Sequence, residues 1–574
     1  MQPIFAGGRV VKFLSADRLA LYGAVFAFVA VSFLIAMGSW VRIPYPFDLE
    51  WMEGGMLVHV QRLREGLGLF IEPNADFVPY IYPPGYPALL SALGEPSYTV
   101  GRIVSLTSIF AAAIALVFAV RESSSLRDQA GGTQNPWFIG IGTAAVFLST
   151  YEDSGAFFDL VRADGLAMGL VSWSMVTCRR GTIKSVRVGG LLLAFAFFAK
   201  HNFAAVGLPI LWWLLKNRDR RVAIEFVKYS VAPALAFLLY WTIKSGGLFL
   251  VYLLRVPATH GLVGERGWPG SELEMWGAMP IVATVGVFAM LAVMWVGDVE
   301  RKESNKPLWA IALVSSSMLF GSITLLRYRR MVGFDVREFI GWSSFGSPLY
   351  VTGIVVSVVL VVALIQLVRR LSISEGALYW VMNGGLLFAL AAVMRAHHGG
   401  FLNVLIPGYW VVALFSGLAL GALVRRYQVA PVIISALFIG QVYEGSWEPA
   451  VFSPREGDVE AGERLLEVIA SYEGEVWVPH APWYPAMVGK SPSIPLIALW
   501  DIDYEGGPFY DGVAEVKSAL ENHKWDAVIS SGRRMRYGVA NHYTRSQDIS
   551  EPRQQFMTRS GWRVRPSVVW EANE

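Results

Sequence analysis

Long apolar runs repeat along this chain and constrain its fold more than any other feature. The first, Leu19 to Val41, follows a short basic start (Arg9, Lys12, Arg18) and can span the roughly 30 Å hydrocarbon layer of a bilayer. Similar runs lie near residues 100–120, 136–150, 161–177, 188–199, 203–215, 229–243, 277–296, 308–326, 349–367, 377–394, 402–423 and 429–443, which predicts about thirteen transmembrane helices. With 54% hydrophobic and only 16% charged residues, the chain is far from a soluble globular balance. So many runs after the first argue for a retained signal anchor rather than a cleaved leader. The single cysteine, Cys178, excludes an internal disulfide and a thiolate metal cluster.

Charge orients the spans. Alternate connections, among them RESSSLRD, CRRGTIKSVR, KNRDRR and VERKESNK, are short and basic, as cytoplasmic loops are. About 21 Lys and Arg in roughly 80 residues fall on that side, against about 12 in roughly 130 on the other. The N-terminus is therefore expected in the cytoplasm. The long connections 42–99, 244–276 and 327–348 and everything beyond residue 444 are expected outside, where a membrane enzyme builds sites between lipid and water. Residues 1–444 thus read as an all-α polytopic membrane module. Residues 445–574 read as a small soluble α/β domain, with helical patterns near 458–472 and 512–523 alternating with the strands GEVWVP and WDAVIS. Its tail shows no clear periodicity.

The first outer loop opens with FDLEWMEGG, residues 47–55. From Leu49 onward, Met52, Met56, Val60, Leu63 and Leu67 continue one helical stripe, which predicts a helix lying on the membrane with Asp48 as its N-cap. Glu50 and Glu53 then fall away from the stripe, and Gly54 and Gly55 beside them would leave room for a ligand. The plainer reading of these acids is a solvated polar face. Further on, YIYPPGYPALL supplies a rigid Pro83–Pro84 turn flanked by Tyr80, Tyr82 and Tyr86.

This order of motifs resembles the GT-C superfamily of polyprenyl-phosphate-sugar-dependent glycosyltransferases. It comprises an acidic motif after the first span, a G-x-x-[LF] step at Gly66 to Leu69, Y-x-Y-P-P, and an arginine opening the next span (Arg102). In layout it is most similar to the bacterial family 39-like enzymes, which include the protein O-mannosyltransferases and the lipid A aminoarabinose transferases. FFDLVRADGLAMGL (157–170), FAKHNFAAVGLP (198–209) and HHGGFLNVLIP (397–407) continue the resemblance. It implies a GT-C fold in a bacterial inner membrane. It also implies transfer of a sugar from a polyprenyl-phosphate carrier to an envelope glycan, lipid or protein on the outer face, with an acid of the first outer loop as catalytic group. The family pattern is Asp followed directly by Glu, and this chain has Asp-Leu-Glu, so Asp48 is the clearer match.

The chemistry agrees with the residues. An acceptor hydroxyl needs a carboxylate to take its proton, and the departing phosphate needs cations. Of the carboxylates, Asp48 is expected to take the proton, while Glu50 and Glu53 are expected to position the acceptor or a metal. The expected phosphate contacts are Lys200, Arg102, Arg162, His201 and Arg395, at the outer ends of spans, where a cation in lipid needs a partner or a watery cavity. Arg162 with Asp164, and Asp159 beside them, reads equally well as an internal pair. Tyr82, Tyr86, Asn202 and Asn403 are the expected substrate contacts. A divalent cation, Mg²⁺ or Mn²⁺, would suit oxygen ligands from Asp48, Glu50 and Glu152 or Asp153, although no spacing demands one. Adjacent His397 and His398 point to different helix faces and do not suggest zinc. HAPWYP (480–485) reads either as a packed loop or as a contact for an acceptor glycan. The competing class is a lipid-linked-sugar flippase or other transporter, against which stand the mostly apolar mid-span positions.

Overall fold

The computed structural model describes residues 15–123, 137–267, 270–288, 375–424, 430–532, 537–549 and 555–573. Among them, five helices are long and apolar enough to cross a membrane: α1 (Ala16–Arg42), α4 (Tyr98–Ser123), α9 (Arg220–Lys244), α10 (Glu375–Ala396) and α11 (Ile406–Val424). Between them run α5 (Trp137–Leu148), α6 (Ala163–Arg179), α7 (Ile183–Ala199), α8 (Gly207–Asn217) and α12 (Ala430–Glu444). The runs expected at 308–326 and 349–367, and the outer loop 327–348, lie outside the described residues.

The spans are uneven in length. The run at 203–215 becomes a 3-10 helix, His201–Val206, continued by α8, whose 11 residues alone reach about 16 Å. α5 is equally short and lies almost wholly inside the bundle. Conversely, the 244–276 connection contains an apolar helical stretch, Leu248–Ala258, that its loop-like composition hid.

The bundle packs by putting small residues inside. On α1, Ala20, Ala24, Ala27, Val31, Ile35 and Gly38 recur at spacings of three and four and are buried, whereas Tyr22, Phe26, Phe33 and Trp40 face outward, as large apolar residues do towards lipid. Gly165 and Gly169 do the same for α6: a Cβ on either would come within 2.7 Å of the Ser105 or Ser108 carbonyl of α4. That close approach fixes the Arg162–Asp164 segment against the helix that carries Arg102.

Outside the bundle, α2 (Glu53–Arg64) and α3 (Gly85–Leu93) lie in the connection between α1 and α4. His59 ties α2 to the stretch that leads into α3: its Nδ1 donates to the Gly55 carbonyl (2.7 Å) and its Nε2 accepts from the Tyr80 amide (2.9 Å), with the His59 and Tyr80 rings stacked. The residues after 445 carry α13 (Asp458–Ala470), α14 (Leu496–Ile502) and α15 (Tyr510–Glu521) around a sheet of order β1-β2-β4-β3. β1 (Val476–Trp477) and β2 (Ala527–Ser530) are parallel. β4 (Val568–Ala572) runs antiparallel to both β2 and β3 (Tyr543–Asp548). The two tail strands, which showed no periodicity in sequence, complete the sheet.

Candidate functional site

The acids of FDLEWMEGG are not a solvated face: Asp48, Glu50 and Glu53 are 5%, 2% and 0% exposed. The helix starts later than the stripe predicts. Residues 48–52 form a turn, and Glu53 is the first residue of α2, so the three carboxylates point in three directions.

Glu53 turns into the bundle. Arg102 grips it with two bonds, Nε to Oε1 at 3.0 Å and one Nη to Oε2 at 2.7 Å. The remaining N–H groups of Arg102 donate to the carbonyls of Arg42, Tyr45 and Phe47. Glu53 in turn accepts from the Leu49 and Val161 amides. All five donors of Arg102 are used, so no N–H is left over for a donor phosphate, and Glu53 has no spare lone pair facing an acceptor. Both hold the loop on the bundle. Arg42 and Asp159 make a parallel clamp, joined by Ser39 and Tyr151, which takes Asp159 away from Arg162.

Asp48 caps α2 across the turn: its Oδ1 accepts from the Gly54 amide (2.8 Å) and the Tyr98 hydroxyl (2.9 Å), and its own N–H donates to the Tyr484 hydroxyl. Its Oδ2 is buried without a hydrogen-bond partner among the described residues. A cavity of 10 Å³, room for about one water, lies beside it, lined also by Tyr45, His480 and Tyr484. Burial, and next the charge of Glu53, hold the Asp48 carboxyl well above its ordinary range. Here loss of water outweighs the bonds from Gly54 and Tyr98 and the charge of Arg102, all of which act the other way. The two glycines are also reassigned. A Cβ at Gly55 would collide with the Tyr80 ring, and one at Gly54 would press on Trp483 and Asp48, so they admit the chain's own side chains rather than a ligand.

Glu50 heads a ladder of alternating charge. Its Oε2 accepts from Arg162 (3.2 Å) and from the Met52 amide. Arg162 stands 3.8 Å from Asp164, and Asp164 Oδ1 accepts from Lys200 (2.6 Å) and Asn403 (3.0 Å). Three separate connections meet here: the turn before α2, the start of α6, and the extended Lys200 that ends α7. Burial raises Glu50 to about 7, with Arg162 opposing the rise. The Tyr82 ring lies 6.0 Å from the Arg162 guanidinium. Beyond Lys200, His201 Nδ1 and Asn202 Oδ1 are buried with no hydrogen-bond partner among the described residues. Tyr86 and Arg395 fall elsewhere: Tyr86 bonds the Gly101 carbonyl and Ser105 inside the packing, and Arg395 is doubly bonded to Glu274.

Sequence reasoning missed Asp501. It sits in α14 of the C-terminal α/β domain, close enough to Arg162 and Tyr82 to act on both, and burial raises it to about 8. Its carbonyl accepts from His260 Nε2 (2.7 Å), whose Nδ1 accepts from His397 Nε2 (3.0 Å). No local motif marks Asp501, since only the docking of the C-terminal domain brings it there. Among the described residues no three His, Cys, Asp or Glu gather as a metal site, and Glu152 is exposed on its turn.

Fold and site together define a helical membrane protein with a buried charged centre between its bundle and a covering α/β domain. The chain is similar to the crystal structure of ArnT from Cupriavidus metallidurans in the apo state, at 14% identity over 96% of this chain and 98% of that one, with a TM-score of 0.41. No family model and no curated protein matches the sequence.

Proposed function

We propose that this chain is an integral membrane glycosyltransferase of GT-C type. It moves a sugar from a polyprenyl-phosphate carrier to an acceptor in the cell envelope, on the outer face of a bacterial inner membrane. The observation that carries the reading is the Glu50–Arg162–Asp164–Lys200 ladder, which joins an acid of the first outer loop to cations beside it.

In the reaction the acceptor oxygen bonds to the anomeric carbon as the bond from that carbon to the phosphate oxygen breaks. The electron pair leaves with the prenyl phosphate and the acceptor proton goes to a carboxylate. A single displacement inverts the anomeric centre. Of the three acids, Glu50 suits the proton transfer best, because a base works best with a pKa near the operating pH. Arg162 and Lys200 receive the phosphate, with His201 and Asn202 beside them. A phosphate that draws Arg162 away from Glu50 removes the cation that lowers its pKa, so donor binding makes the base stronger. Asp48 keeps the turn in shape and offers Oδ2 to the acceptor side.

Incubating the purified protein with radiolabelled prenyl-phosphate sugars and membrane extract should yield a labelled envelope product. No product from any donor of the panel would overturn the reading.

A further inference from the structure

Three indoles from distant parts of the chain meet outside the acid turn. Trp51 lies between Glu50 and Met52, Trp500 precedes Asp501 in α14, and Trp562 belongs to the C-terminal tail. Their ring centroids are 5.4 Å (51 to 562), 5.5 Å (51 to 500) and 5.4 Å (500 to 562) apart. Trp51 is buried, yet Trp562 is 52% exposed.

A lone exposed tryptophan needs no explanation, but this one is built in place. The Thr558 amide donates to the Val564 carbonyl, the Val564 amide to Thr558 Oγ1, and that hydroxyl to the Trp562 carbonyl, which closes a tight turn. Gly561, at φ +66°, makes the bend, and a Cβ there would come within 2.8 Å of Glu50 Cγ. The Arg559 and Ser560 amides both donate to the Leu49 carbonyl, so the turn is riveted to the acid loop itself. Trp562 therefore faces solvent at the rim of the site, with exposed Arg563 next to it. It lies on the outer-domain side of Glu50, whereas Arg162 and Lys200 lie on the bundle side.

We propose that Trp562, backed by Trp500 and Trp51, is the stacking platform of the acceptor subsite and takes the apolar face of a pyranose ring. The proposal rests on the glycosyltransferase reading and names its acceptor class as a saccharide. A flat indole held by two others offers a rigid surface to the axial C–H groups of a sugar, whose hydroxyls stay in water or reach the carboxylates of the turn. Turn, glycine and backbone bonds keep that surface fixed beside Glu50, so the stacked ring's neighbour enters the reacting position.

The test is binding, independent of turnover. Saturation-transfer NMR of the full-length protein in nanodiscs, with methyl pyranosides of glucose, galactose, mannose and N-acetylglucosamine and their β-1,4 disaccharides, should show at least one binding. Trp562→Ala should weaken it about ten-fold, the loss of one aromatic stacking contact. Trp562→Phe should largely restore binding. Trp562→Leu, which keeps apolar bulk without a flat face, should not. Wild-type binding in a folded Leu or Ala variant, or no saccharide bound by the wild type, overturns the platform. Trp562-dependent binding without transfer from any prenyl-phosphate sugar would instead sink the transferase reading and leave the subsite standing.

Discussion

Arg102 and Glu53 meet as two forks with no solvent access, 2.7 and 3.0 Å apart, and Arg102 spends its other donors on three carbonyls of the chain entering the first outer loop. Removing one partner of such a buried pair leaves the other charge uncompensated, at a cost of about 3–5 kcal/mol. Glu53→Ala and Arg102→Ala should therefore lower the melting temperature in detergent sharply, with activity lost in proportion to folded protein. A folded, stable Glu53→Ala protein without turnover would instead make Glu53 a chemical group.

Glu50→Gln keeps shape but cannot take a proton, so transfer should fall by about two to four decades with melting temperature and donor binding retained. The wild-type kcat/KM for the donor, which reports the free protein, should rise with pH through about 7 and level off above it, as a base must be ionised to act. Asp48 accepts from the Gly54 amide and the Tyr98 hydroxyl through one oxygen, which Asp48→Asn keeps, so this variant should lose less than about ten-fold. The reverse ranking of the two variants would hand the proton to Asp48.

Lys200→Ala removes a charge-assisted contact to the donor phosphate, and the donor KM should rise about 10- to 100-fold. The acceptor KM should stay within a few-fold. Equal change in both would mean that Lys200 only props Asp164.

Asp501 binds its proton more tightly in the folded protein, up to about 8, than a free carboxyl at 3.8 does. Between those values the folded state holds a proton that the unfolded chain has released, so stability contributed by this group is lost as pH rises across the window. Asp501→Asn keeps the neutral shape at every pH. Its melting temperature should gain on that of the wild type from pH 4 to pH 8, and a constant difference would show that folding does not bury the carboxyl.

Cys178 is buried, so a surface label reports only on an introduced thiol. Ser518→Cys in α15 should react with an impermeant reagent added to intact cells, and Lys216→Cys at the end of α8 only after lysis. Both positions are exposed. The opposite pattern would invert the orientation on which the outer site depends.

The apolar runs, the basic alternate loops and the acidic turn were legible in the sequence because each is a local property: span length, charge sidedness and residue type near one helix start. Lys200 was legible for the same reason, as a cation between two short apolar segments can only sit at a turn. What each acid does was not legible. Glu50 and Glu53 are three positions apart and of one chemistry. One faces Arg162 at the charged centre while the other is locked to Arg102, because the helix begins at Glu53 and the turn before it rotates the two apart. The glycines read as room for a ligand until Tyr80 filled the space. Asp501, His260 and Trp562 lie hundreds of residues from the acid turn. Burial and pairing depend on what folds over a residue, and here the C-terminal domain brings Asp501 to the charged centre and Trp562 beside Glu50.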